Sequence, residues 1–193
     1  MHPSAMAFAC SALTGADVRG KAVLEAGSMN VNGSVRGHVK SLGPAYFVGT
    51  DMRPGPGVDE VCAAEHLPGY FFHEFDGEIL FDVVVSTEML EHAKDWQAAV
   101  RGMITVLTEG GVLVLTTRSE GFPLHGYPED HWRYSVAAMG VILAAASLDV
   151  ERLEPDPDPQ SPGVFARARK PAGWSWPDGV QAAWDAAGVT PAA

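Results

Sequence analysis

The stretch "LFDVVVST", residues 80–87, constrains the fold of this chain more than any other. Its consecutive β-branched apolar residues mark a strand buried on both faces, which requires a sheet covered on both sides by helices. Six further apolar clusters have strand character: 21–27, 45–51, 59–65, 111–118, 148–154 and 163–170, the third being the weakest. Helical patterns lie between them. In residues 95–111, Trp96, Ala99, Val100, Met103 and Leu107 recur at a spacing of three to four. Asp95 is placed to cap that helix, and Gly110-Gly111 to stop it. Residues 135–148 form a second helix candidate and 34–42 a shorter one. Strand–helix alternation of this kind predicts an α/β fold with a mainly parallel sheet.

The 193 residues, 47% of them hydrophobic and 19% charged, suit one domain spanning 1–193 with a sizeable core. Thirteen Lys+Arg against 24 Asp+Glu give a net charge of −11. Such a chain gains little from a phosphate backbone or an anionic membrane surface, so neither nucleic acid nor membrane is an expected partner. Two cysteines, Cys10 and Cys62, do not make a disulfide framework and are expected as reduced, buried thiols. The N-terminus has no Lys or Arg ahead of its mildly apolar part, and no segment nears the length of a membrane span. The expected location is the cytoplasm.

In an open α/β sheet, ligands bind beyond the C-terminal ends of the strands. The first strand runs into "GSMNVNGS", residues 27–34. A dinucleotide fingerprint would need glycines at 27, 29 and 32, but Met29 and Asn32 occupy the last two positions. Met29 blocks the close backbone approach of a pyrophosphate, which argues against NAD. The loop ending in Gly-Lys-Ser/Thr that cradles triphosphates is also missing. Asp51, at the end of the second strand, can accept hydrogen bonds from both hydroxyls of an adenosine ribose.

The succession "VLEAGS", "YFVGTD", "FDVVVSTEMLEH" and "LTEGGVLVLTT" resembles the class I S-adenosylmethionine-dependent methyltransferases, most of all the small bacterial ones with a minimal core. The resemblance covers roughly residues 20–170. It implies a Rossmann-like three-layer sandwich whose seven-stranded, mainly parallel sheet has its last strand antiparallel. It also implies S-adenosylmethionine as cofactor and S-adenosylhomocysteine as product. By position, Glu25 matches the acid before the first loop. Gly27, Ser28, Met29 and Asn30 match the loop around the methionine part, and Asp51 and Met52 match the ribose and adenine contacts. Ala63 stands where the family commonly has an Asp, which leaves the polar adenine contact to the backbone at Ala64 or the side chain of Glu65. Ser86, Thr87 and Glu88 match the segment lining the donor methyl.

Methyl transfer is an in-line displacement governed by alignment, and it needs a base only if the acceptor atom carries a proton. His92 matches a position where similar enzymes have a base; His125 and His131 are its rivals. Residues 118–135 form a long loop dense in polar and aromatic groups, expected as the acceptor-binding lid, with Tyr127, Trp132 and Arg133 as acceptor contacts. The spacing of these histidines and acids matches no strong metal-ligand pattern, so no metal is expected. Little chain precedes the first strand. Closure over the acceptor then falls to this loop, to the tail 171–193, or to a neighbouring subunit in a homodimer. The expected activity is O- or N-methylation of a small molecule, such as a bacterial secondary metabolite or sugar-like group. The alternative is a catalytically silent relative that binds the cofactor or serves as a scaffold.

Overall fold

The computed structural model describes residues 1–73, 80–126 and 129–193. All seven expected strands are in one sheet. In chain order the strands are β1 (Ala22–Ala26), β2 (Tyr46–Asp51), β3 (Glu60–Val61), β4 (Phe81–Thr87), β5 (Leu107–Arg118), β6 (Trp132–Arg133), β7 (Asp149–Pro155), β8 (Gly163–Arg169) and β9 (Thr190–Pro191). The sheet order is β3-β2-β1-β4-β5-β8-β7, while β6 and β9 pair separately. Strands β1 to β5 pair in parallel, and β8 runs antiparallel to both of its neighbours. The last strand of the sheet in chain order is therefore the antiparallel one, as the family resemblance implied.

Helices cover both faces. On one side α1 (Pro3–Ala12), α2 (Gly15–Val18) and α3 (Arg36–Ser41) enclose Val23, Val83, Val85, Val112 and Val114. On the other, α4 (Leu67–His73), α5 (Trp96–Thr105), α6 (Val136–Ala145) and α7 (Val180–Asp185) enclose Leu24, Val84, Leu113 and Leu115. Val83, Val84 and Val85 are all fully buried, and each contributes roughly 1.5–3 kcal/mol relative to exposure. This two-sided burial explains why β4 lacks the alternation of a half-exposed strand.

Three boundaries differ from expectation. Helix α5 begins where Asp95 caps it, with the Asp95 carboxylate accepting from the Ala98 amide at 2.9 Å. It ends at Thr105, and Leu107 already pairs with Phe81 in the sheet. Gly110, at a φ of 77°, carries the chain through an irregular stretch of β5. The 59–65 cluster shrinks to Glu60–Val61 because Ala64–His66 turn into a 3-10 helix. Ahead of β1, helix α1 packs on the sheet through Phe8 and Ala9. The two cysteines are free, Cys62 buried and Cys10 only half-buried. Trp184 is buried in the same domain, donating to the Ile142 carbonyl, and Trp174 donates to that of Ala146. Among the described residues, no helix is long and apolar enough to cross a membrane.

Gly102 lets α5 lie against the 64–66 turn. A Cβ there would run into the Ala64 carbonyl oxygen, a backbone atom that cannot swing aside. Gly102→Ala is expected to cost about 3 kcal/mol, read as a lower urea midpoint. Gly37→Ala, at an exposed position of α3 with no described atom near its new methyl, is expected to gain about 0.5–1 kcal/mol.

Candidate active site

The C-terminal ends of β2, β1, β4 and β5 open onto a cavity of about 1060 Å³. Each strand delivers a polar group to its rim: Asp51, Glu25, Glu88 and, after β5, His125. Adjacent strands lie about 4.8 Å apart, so this row spans roughly 14 Å, enough for an adenosine-sized ligand with a second molecule beside it.

The β1 end holds a carboxylate with few partners. Glu25 is 2% exposed, and Ser34 donates to it weakly, at 3.3 and 3.4 Å. Burial pushes its carboxyl up to about 7, against the opposing pull of the Arg36 charge and the Ser34 hydroxyl. A group in this state can take a cationic partner. At the end of β2, Asp51 accepts from the amides of Met29 and Arg53, both at 3.3 Å, and keeps its outer edge on the cavity.

The first loop is glycine-poor because its close packing uses glycines elsewhere. Gly27 has a φ of 78°, and a Cβ on it would overlap the Met89 side chain. A Cβ on Gly57 would lie 2.6 Å from the Ser28 carbonyl oxygen, and one on Gly49 would lie 2.6 Å from the Ser28 hydroxyl. Segment 53–59 thus folds back onto the loop. The Asn30 amide donates to the Pro56 carbonyl, and Arg36 pairs with Asp59 and with the Gly57 carbonyl. Ser28 is spent in this packing, and the Asn30 side chain accepts from the Gly33 amide in a turn. Neither lines the cavity, and nor does the buried Ser86. The predicted cofactor residues Glu25, Gly27, Met29, Asp51, Met52, Ala64, Glu65, Thr87 and Glu88 all line it. Glu88 holds a left-handed backbone, φ 51°, at the turn out of β4. Such strain in a non-glycine residue is concentrated at functional sites.

At the other end, the 3-10 turn Leu90–His92 meets the loop that follows β5. His92, His125, His131 and Trp132 line the cavity. The His92 and His125 rings pack edge to face, with centroids 4.8 Å apart. The His131 side chain instead turns toward Glu129, 3.2 Å away. Trp132 is fixed by donating to the Ala93 carbonyl. Arg133 does not line the cavity. It is 4% exposed and forks onto Asp130, which also accepts from the His125 amide. Its role is to position that loop. Tyr127 lies outside the described residues.

Some cavity residues escaped the sequence reading. Met1 lines the wall, and the His2 amide donates to Glu88, so the N-terminal segment does contribute to closure. Trp96 and Gln97 bring in the first turn of α5. Glu91 is fully buried beneath the histidines. Its only sequence signal was its place beside His92 in "EMLEH".

A seven-stranded sheet of this order, with buried and half-buried acids at the ends of β1 and β2, is the class I methyltransferase fold. A family model described as "Methyltransferase domain" matches residues 16–148, and the chain belongs to that family. No curated protein matches it. Among solved structures it is similar to 1,6-didemethyltoxoflavin-N1-methyltransferase from Burkholderia thailandensis, crystallised with 1,6-didemethyltoxoflavin and S-adenosylhomocysteine. The TM-score is 0.67 and the identity 18%, over 86% of this chain and 78% of that one. It is also similar to the N-methyltransferase NodS of Bradyrhizobium japonicum WM9, with a TM-score of 0.56 and 17% identity, over 84% of this chain and 93% of that one. Magnesium protoporphyrin IX methyltransferase of Synechocystis PCC 6803, with bound S-adenosylmethionine, has a TM-score of 0.56 and 14% identity, over 80% and 72%. At these identities the likeness is one of fold.

Proposed function

We propose that this protein methylates an oxygen or nitrogen of a small molecule, with S-adenosylmethionine as donor and S-adenosylhomocysteine as product. The observation that carries this reading is the two-ended cavity. One end presents carboxylates suited to an ammonium and a ribose, and the other presents His92 and His125 over a buried acid. The donor is a sulfonium with its own ammonium and no pyrophosphate, which suits a loop whose second glycine position is Met29. Glu25 accepts the ammonium, Asp51 the ribose hydroxyls, and Met52, Ala64 and Glu65 flank the adenine. Thr87 and Glu88 border the transferring methyl. The acceptor rests between Trp132 and the histidines, where its proton can leave. Neighbours that act on a didemethyltoxoflavin and a magnesium porphyrin support a small-molecule acceptor. The negative net charge argues against nucleic acid.

Calorimetry with S-adenosylmethionine tests the cofactor half. Asp51→Ala is expected to weaken binding roughly 10- to 150-fold, the worth of hydrogen bonds to a charged acceptor. No binding by the wild type would sink the reading. The second reading, a silent cofactor-binding protein, rests on the departures at Met29 and Ala63. It predicts binding without turnover across an acceptor library, and cofactor affinity unchanged in His92→Ala.

A further inference from the structure

Glu91 is 0% exposed, and its two oxygens are treated differently. Oε2 accepts from the Thr117 hydroxyl at 2.8 Å. Oε1 has no donor among the described residues. A buried carboxylate oxygen left in this way is costly, and it calls for an explanation. Two ring nitrogens face it: His92 Nε2 and His125 Nε2 each lie 4.0 Å from Oε1.

The His92 ring is held through its other nitrogen, and the His125 ring has a carboxylate beside its own. His92 Nδ1 lies 2.6 Å from the Glu129 carbonyl oxygen. A carbonyl only accepts, so Nδ1 carries the hydrogen and Nε2 keeps its lone pair. His125 Nδ1 lies 2.9 Å from Asp130 Oδ2, close but off the line of a hydrogen bond. Asp130 is in turn clamped by Arg133. A carboxylate or carbonyl behind the ring is the support that metal-binding histidines use to fix tautomer and orientation. His92 Nε2, His125 Nε2 and Glu91 Oε1 thus converge at 4.0 Å with no hydrogen bond from either ring to the carboxyl, and a cation that displaces any proton there satisfies all three.

We propose that Glu91, His92 and His125 form a binding site for one divalent first-row transition metal ion, of the zinc, cobalt or iron(II) type. Two imidazoles with one carboxylate favour such ions over magnesium or calcium, which prefer all-oxygen sets. The three donor atoms lie within 4.8 Å of one another. Bonds of about 2.0–2.2 Å nearly span the 4.0 Å gaps already, and small rotations of the two half-buried rings close the rest. His92 and His125 line the cavity, so the remaining coordination positions face the acceptor. A hydroxyl bound there would lose its proton more readily. That consequence rests on the methyl-transfer reading; the ion site itself does not. The spacing of the ligands hid them in the sequence, because Glu91 and His92 are adjacent while His125 arrives from the far side of β5.

The test uses the full chain, stripped with a chelator and titrated with Co²⁺ by visible absorption and with Zn²⁺ by calorimetry. The expected result is one equivalent of each ion, with a ligand-field spectrum for Co²⁺. His92→Ala and His125→Ala should each weaken binding by at least roughly 10- to 100-fold. Glu91→Gln should do the same, and if that variant fails to fold, the more exposed His125 carries the test. Asp51→Ala should bind the ion like the wild type, which separates this site from the cofactor half. Absence of a stoichiometric ion in the wild type would overturn the proposal. So would wild-type affinity in the His92→Ala/His125→Ala double variant.

Discussion

Glu25→Gln is expected to make the cofactor-free protein more stable and to weaken cofactor binding at pH 8 at least roughly a hundredfold. The Glu25 carboxyl sits at about 7, chiefly because burial disfavours its charged form. In the unfolded chain it returns to the ordinary glutamate range near 4.5. A group whose pKa is raised on folding gives stability that is fully present below the unfolded value and is lost as pH rises through the folded one. Wild-type stability should therefore fall between about pH 4.5 and 7, by up to about 3 kcal/mol from this residue. Glutamine has no charge to desolvate, so the variant should be more stable by up to about the same amount at pH 8. Urea denaturation of both proteins at pH 5 and pH 8 checks this, and the gap should be far smaller at pH 5.

The same carboxylate is the proposed acceptor of the cofactor's ammonium, so binding must draw off its proton whenever the pH is below about 7. Affinity for S-adenosylmethionine should drop by roughly tenfold per unit as pH falls below that point. In Glu25→Gln the slope should vanish, and the affinity at pH 8 should be at least roughly a hundredfold below the wild type's, the gap narrowing as pH falls. A pH slope in the variant as steep as the wild type's would show that Glu25 does not meet the ammonium.

Arg118→Met is the second large effect. Arg118 closes β5, and it is 1% exposed. It contacts Glu88 on the cavity wall, lies 3.1 Å from Asp156, donates to the Ser161 carbonyl and covers the Phe122 ring. Methionine replaces its bulk and not its charge. Two shielded carboxylates then lose their counterion, which costs about 3–5 kcal/mol. For a chain of this size that is a fall of roughly 10 °C in the unfolding midpoint. Asp156 also accepts from the Ser4 hydroxyl, so the loss should loosen the start of α1 as well. Adding Asp156→Asn to Arg118→Met removes one of the orphaned charges and should recover part of the loss. A double variant as unstable as the sum of its parts would show that the pair is not coupled.

Much of this protein was legible from local chemistry. The consecutive valines of β4 announced a strand buried on both faces, because a short β-branched run favours a strand over a buried helix. Asp95 announced the start of α5 through the amide it caps. Glu25, Asp51 and Glu88 could be assigned to a binding edge because parallel strands must all deliver their C-terminal residues to one side. Leu107 shows where local reasoning stops. It satisfies the helical spacing of α5, yet it pairs with Phe81. The sheet offered it a ladder partner and a buried neighbour, which outweighed one more turn of helix.

The sequence by itself determined the layered architecture and the row of acids on the cofactor side, since both follow from periodicity and from a strand's fixed direction. Only the tertiary structure decided how the first loop closes and what lies at the histidine end of the cavity. The loop's tight approach depends on Gly49 and Gly57, which belong to another strand and another turn. The Glu91–His92–His125 convergence depends on the parallel pairing of β4 and β5, which brings the segments that follow them side by side. Contacts between segments remote in the chain are set by packing, and no spacing along one segment encodes them.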